Sequence, residues 1–167
     1  MKERTAKCCC GDTWIRFQGE PERVIVCHCL YCQRRTGSPF NLSAWFFDEQ
    51  IVARKTDNVR AFSDSPNNPG TPFTFCLRCG STVYWPIGVK KGTEGSVEDM
   101  PGGLYGVAVG CFEDPDFPSP GWDINQGTRH HWVPSFGVER CSQGMPYEYA
   151  EDFVVDKAKH LAANGIT

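Results

Sequence analysis

Apolar positions recur along this chain at the spacing of short strands. Asp12 to Phe17 alternates around Trp14, Arg23 to Cys27 carries the unbroken run Val24-Ile25-Val26, and Asn41 to Phe47 joins small and aromatic residues. Gln50 to Ala53 follows directly, so a hairpin is predicted around Asp48-Glu49. Val59 to Phe62, Thr71 to Phe75, Ser81 to Trp85 and Leu104 to Val109 add further short apolar runs. Turn chemistry separates them: Ser63 to Gly70 holds only Ser, Asp, Pro, Asn and Gly, and Asp114 to Gly121 is broken by three prolines. Pro86 to Gly103, with glycines among mixed charges, suits neither a helix nor a single strand and reads as a surface excursion rather than a lid. One helix is predicted, over about 152–164. Asp152 would cap it, Phe153, Val154, Lys157 and Leu161 share a face, and Asn164-Gly165 stops it.

The predicted class is therefore mainly β with a small helical content. At 167 residues, 40% apolar and 22% charged, the chain is long enough for one real core, so a single domain over 1–167 is expected. A net charge of -3 gives no electrostatic footprint for nucleic acid or an anionic membrane. Met1 to Lys7 is charged and no apolar segment follows it, so neither a secretory signal nor a membrane span is expected. A cytoplasmic location follows as the default.

That location changes how the 10 cysteines are read. Reducing cytosol disfavours disulfides, and clustered thiols then point to metal. Cys27-His28-Cys29-Leu30-Tyr31-Cys32 places three soft thiolate ligands around one point and leaves a fourth coordination position unassigned. Cys8 and Cys10 pair as C-x-C, Cys76 and Cys79 as C-x-x-C, and together they make one complete four-thiolate site. The glycine after each pair, Gly11 and Gly80, suits the tight turn that aims backbone N–H groups at metal-bound sulfur. Cys9, Cys111 and Cys141 remain. They read as small buried apolar residues, although one of them could close the three-thiol site.

His28 lies between two ligands and should point away from the metal. Arg34 and Arg35 follow the three-thiol turn, either to pair a substrate carboxylate through a guanidinium fork or as a solvated surface pair. His130 and His131 read as a surface pair rather than a proton shuttle. Trp45, Trp85, Trp132, Phe46 and Phe47 read as core. Thr36-Gly37-Ser38 would shape the turn that closes the site.

The order Cys8-x-Cys10-Gly11, then Cys27-His28-Cys29 with Cys32 and Thr36-Gly37-Ser38, then Phe75-Cys76-Leu77-Arg78-Cys79-Gly80-Ser81 resembles the glutathione-dependent formaldehyde-activating enzyme family, the CENP-V/GFA domain. The likeness runs from about 7 to about 149. Gly110 to Pro115, Phe117-Pro118, Trp132 and Met145-Pro146 resemble its second half more loosely. It implies an Mss4-like fold of several short coiled antiparallel sheets around zinc sites, with two zinc ions per chain. Cys8, Cys10, Cys76 and Cys79 would hold the structural zinc, and Cys27, Cys29 and Cys32 the catalytic one. It further implies carbon–sulfur lyase chemistry of the S-(hydroxymethyl)glutathione synthase type, with glutathione or a similar thiol and a small aldehyde as partners. The chain departs from similar proteins at Asp123-Ile124, where His-Ile is common, and in the length of 86–103, which predicts a changed substrate mouth.

The mechanism expected from these ligands is capture of a substrate thiol at the open position, its stabilisation as thiolate, and addition to a small carbonyl carbon. Two other classes compete. A non-catalytic Mss4-like binding module would close the three-thiol site with Cys111, Cys141 or a histidine, or would leave it empty. A methionine sulfoxide reductase relative would need an exposed redox cysteine outside the ligands.

Overall fold

The computed structural model describes residues 1–62, 72–87, 103–138, 140–144 and 156–166. Among these run β1 (Glu3–Lys7), β2 (Trp14–Gln18), β3 (Arg23–Cys27), α1 (Leu30–Thr36), β4 (Asn41–Phe47), β5 (Ile51–Lys55) and β6 (Val59–Phe62), and then β7 (Phe73–Cys76), β8 (Thr82–Ile87), β9 (Leu104–Ala108), β10 (Trp122–Ile124), β11 (Arg140–Cys141) and α2 (Lys157–Ala163). The mainly-β, Mss4-like expectation holds, with the strands gathered into two sheets. One is antiparallel, in the order β1-β2-β5; the other has eight strands, β11-β10-β3-β4-β9-β8-β7-β6. Within the larger sheet β10 runs parallel to both β3 and β11, and the remaining pairs are antiparallel. Among the described residues no helix is long and apolar enough to cross a membrane.

β3 is buried at every position because its sheet is covered on both faces. Alternation sends Val24, Ala44, Phe46 and Val107 to one face, where they meet Ala6, Ile15 and Phe17 of the small sheet. Phe17 and Phe46 stack there with ring centroids 4.3 Å apart, and fully burying side chains of this size contributes about 1.5–3 kcal/mol each. The opposite face gathers Ile25, Cys27, Trp45, Phe47, Leu104, Trp122 and Ile124, with Leu161 of α2 packed against it. Gly106 leaves room for the Trp85 indole, whose nitrogen would lie 2.4 Å from a Cβ at that position.

The predicted hairpin between β4 and β5 does not form. β4 pairs with β3 and β9, whereas β5 pairs with β2 in the other sheet. Between them a single 3-10 turn, Asp48–Gln50, redirects the chain. Buried Gln50 fixes that exit: its Oε1 accepts the Phe47 N–H at 3.0 Å, and its Nε2 donates to the Gln18 and Glu20 carbonyls at 3.1 and 2.9 Å. The C-x-x-C turn does sit between two paired strands, β7 and β8.

Both helices differ from expectation. α1 was not predicted. Its cap is the Cys29 sulfur, which accepts the Cys32 N–H at 3.4 Å, a role sequence rules give to Ser, Thr, Asp or Asn. Gly37 ends it at φ 67, and Thr36 Oγ1 donates to the Cys32 carbonyl at 2.8 Å, so the Thr36-Gly37-Ser38 turn closes the helix that carries Cys32. α2 begins at Lys157, not near 152, because Asp156 accepts the Lys159 N–H at 2.9 Å. Asp152, Phe153 and Val154 lie outside the described residues, as do the turn 63–70, Met145-Pro146 and most of the stretch 86–103.

Candidate metal centres

Cys8 and Cys10 lie in the turn between β1 and β2, Cys76 ends β7, and Cys79 lies in the turn to β8. Their four sulfurs all fall within 4.8 Å of one another. Cys8 and Cys10 are 3.5 Å apart and Cys10 and Cys76 are 3.7 Å apart. Four thiolates at about 2.3 Å from a tetrahedral zinc stand about 3.8 Å apart, so the cage has the size that metal requires. Gly11 and Gly80 take φ 75 and 74, and their N–H groups donate to the Cys8 and Cys76 carbonyls at 2.9 and 2.8 Å. Nothing would lie within 4 Å of a Cβ at either, so the dihedral and not the space calls for glycine.

The thiols do not behave alike. The Ser81 hydroxyl, followed by the Ser81 and Cys10 backbone N–H groups, lowers Cys79 to about 5. The Thr13 hydroxyl is the main cause that lowers Cys76. Cys10 takes a lowering hydrogen bond from the Asp12 backbone, but burial and the sulfurs of Cys8, Cys79 and Cys76 push it up to about 12. Sulfurs this close share protons when no cation is bound, because adjacent thiolates repel. A divalent cation replaces those protons, which is the fit expected of a metal cage.

The three-thiol cluster forms where β3 meets α1. Cys27 ends the strand opposite Asn41 of β4, Cys29 caps the helix, and Cys32 lies in its first turn, with all three sulfurs within 4.8 Å of one another. Cys27 is buried and the other two are half-buried, so one side of the cluster reaches solvent. Hydrogen bonds from Cys27 and Cys32 hold Cys29 far below the ordinary thiol range. The same contact with Cys29 pushes Cys27 up to about 12, and Cys32 rises as well, chiefly through Cys27. Among the described residues, which include every Cys and His of the chain, no fourth ligand joins this cluster.

His28 points away from the sulfurs, as its place between ligands predicts. Its Nε2 lies 2.9 Å from Asp123 Oδ1 with both side chains wholly buried, although the approach is misaligned for a hydrogen bond. Phe40 and Phe136 flank the imidazole, with centroids 5.9 and 6.4 Å away. The His28 carbonyl accepts from Gln33 Nε2 at 2.7 Å and Thr128 Oγ1 at 2.9 Å, and its N–H donates to the Ile124 carbonyl at 3.1 Å. Asp123, expected at a changed substrate mouth, lies instead in the packing around His28. Its position on β10, between β3 and β11, leaves it no exposure.

Arg34 is exposed, while Arg35 lies one turn beyond Cys32 on the same helix face. The Arg35 guanidinium sits 4.3 Å over Phe73 and 4.8 Å over Trp85, and its Nη2 donates to Asn41 Oδ1 at 3.0 Å. His130 and His131 are exposed, as a surface pair should be. Trp132 is 62% exposed and stacks on His130, contrary to its expected core role, because it lies in the exposed turn that carries His130 and His131. Cys9 and Cys141 are exposed rather than buried; Cys111 alone of the three leftovers is half-buried, its sulfur donating to the Thr82 carbonyl at 3.7 Å. Sequence reasoning missed Asn125, whose Nδ2 donates to Cys27 Sγ at 3.3 Å.

A four-thiol cage embedded in one core and a three-thiol cluster in the other define a mainly-β protein with two candidate metal centres, both of a donor set consistent with zinc. The chain belongs to the glutathione-dependent formaldehyde-activating enzyme family, which matches residues 3–127. No curated protein matches it. Among solved structures, the crystal structure of a Rhodobacter sphaeroides protein is similar at 21% identity and a TM-score of 0.44, covering 66% of this chain and 91% of that one.

Proposed function

We propose that the protein is a zinc-dependent enzyme of the carbon–sulfur lyase type, joining the thiol of glutathione or a similar molecule to formaldehyde or another small electrophile. Cys8, Cys10, Cys76 and Cys79 hold a structural zinc, and Cys27, Cys29 and Cys32 a catalytic one, two per chain. The observation that carries this reading is the half-exposed cluster of three thiols that no fourth ligand among the described residues closes. A non-catalytic module would close it with Cys111, Cys141 or a histidine, which no described residue does, or would leave it without metal, which the metal content of the protein distinguishes.

When bound, the metal supplies an open coordination position and makes a thiol that reaches it acidic enough to ionise near neutral pH. The residues around it set the stage for that. Cys27 is presented by a rigid strand end and Cys29 by a helix cap, so the three sulfurs need little rearrangement. Arg35, tied through Asn41 to the strand position opposite Cys27, places a cation beside the cluster, where it draws an anionic thiol towards the site. Arg34, exposed on the same helix, is available to a substrate carboxylate. The addition is redox-neutral: a sulfur–carbon bond forms, the carbonyl π bond breaks, and the thiol proton ends on the carbonyl oxygen.

Because thiols add to formaldehyde without a catalyst, the test is a rate. Magnetisation exchange between free glutathione and its formaldehyde adduct should quicken with the zinc-loaded protein and return to the uncatalysed rate with Cys29→Ser. Equal rates with and without the loaded protein, for formaldehyde and for a panel of small aldehydes, would overturn the proposal.

A further inference from the structure

Asn125 is the one non-glycine residue with positive φ among the described residues, at φ 58 and ψ 39. An L-residue there is strained, and glycine would relieve the strain. Backbone bonds hold the conformation. The Asn125 N–H donates to the Gly144 carbonyl at 3.1 Å, and the Asn125 carbonyl accepts the Thr128 N–H at 3.2 Å and Thr128 Oγ1 at 3.2 Å. None of these bonds needs an asparagine side chain. At the cluster the amide adds its donation to Cys27 Sγ, across 98 residues of sequence, at a thiol only 8% exposed.

We infer that Asn125 is a positioning residue of the three-thiol centre, one that holds the Cys27 sulfur in place and disperses its negative charge when a metal is bound. Three thiolates around a divalent ion carry one net negative charge, and a buried sulfur has little water to share it. A side-chain N–H 3.3 Å away takes on that role. The same segment braces the turn a second time: Gln33 Nε2 bridges the His28 and Thr128 carbonyls at 2.7 and 2.9 Å, and Thr128 Oγ1 reaches the His28 carbonyl. Asn125 and Thr128 thus grip the Cys27-His28-Cys29 turn at its sulfur and at its backbone. This inference rests on the reading of that cluster as a metal site.

The test compares the parent with Asn125→Gly and Asn125→Asp. Glycine keeps the backbone bonds described above and relieves the strain, so the metal-free protein should stay folded. Zinc affinity of the three-thiol centre, measured by competition with a chromophoric chelator, should fall about 10- to 100-fold, with the four-thiol centre unchanged. In protein loaded with Co(II), the sulfur-to-cobalt charge-transfer band should move to lower energy, because a sulfur without its hydrogen bond is a stronger electron donor. Asn125→Asp, which sets a carboxylate against the thiolates, should weaken binding further. If the parent binds two metals and Asn125→Gly changes neither the affinity nor the band, the inference fails while the metal reading stands. A parent that binds a single metal overturns both.

Discussion

At Cys29 one sulfur serves both as helix cap and as cluster member. Serine is a better cap than cysteine but a harder, poorer ligand for zinc, so Cys29→Ser separates the two roles. We expect α1 and the fold to survive, with near-parental thermal unfolding, while activity and one metal are lost. Cys76→Ser should act the other way. Its thiol is fully buried in the first core, and metal affinity in such a cage is folding free energy, so the variant should be insoluble or unfold at much lower denaturant concentration. The seven clustered cysteines were legible in the sequence because ligand spacing is local. The contacts of Asn125 and Asp123 were not, since Cys27 and His28 lie 98 and 95 residues away, and no spacing rule links them.

Of the eleven strands among the described residues, eight were legible to within a residue or two because a buried strand advertises itself in its composition; β1, β10 and β11 were not, since β1 lies in the charged stretch 1–7 and the other two are only three and two residues long. The pairing of the strands was not legible. Asp48-Glu49 looks like a hairpin turn, but the deciding group is the Gln50 side chain, which bonds to the end of β2 in the other sheet. α2 docks at the same place. Asn164 Oδ1 accepts the Glu20 N–H at 2.7 Å, and Gly19, at φ 77, would bring a Cβ within 2.4 Å of that oxygen. Gly19→Ala should therefore cost about 1–3 kcal/mol and expose the amides of α2 to hydrogen exchange. His160 gives the same docking a pH dependence. Burial lowers its pKa below 6.5, and in its neutral form Nε2 lies 3.2 Å from Asn164 Nδ2 while the ring packs on Phe47. The unfolded chain then binds the proton more readily than the folded one, so this contribution is complete above pH 6.5 and fades as pH falls below it. Exchange protection at 157–163 should drop on acidification from neutral pH, and His160→Gln should remove that dependence.

At the scale of the molecule, the eight-stranded sheet puts the two centres on different cores. The four-thiol cage joins the β1–β2 turn to the β7–β8 turn, and so fastens the small sheet to the large one. The three-thiol cluster joins only a strand end to the helix that follows it. Loss of the first should undo the fold, and loss of the second should leave it standing. Thiol count separates a cage that can close around an ion from a cluster that leaves a position open, because four soft ligands saturate a tetrahedral ion and three do not.

Zinc per chain tests the account most directly, measured by elemental analysis on protein purified without chelator, for the parent and for Cys29→Ser. Two zinc ions in the parent and one in a folded Cys29→Ser protein are the predicted result. One zinc in the parent, or two retained after the substitution, would contradict it.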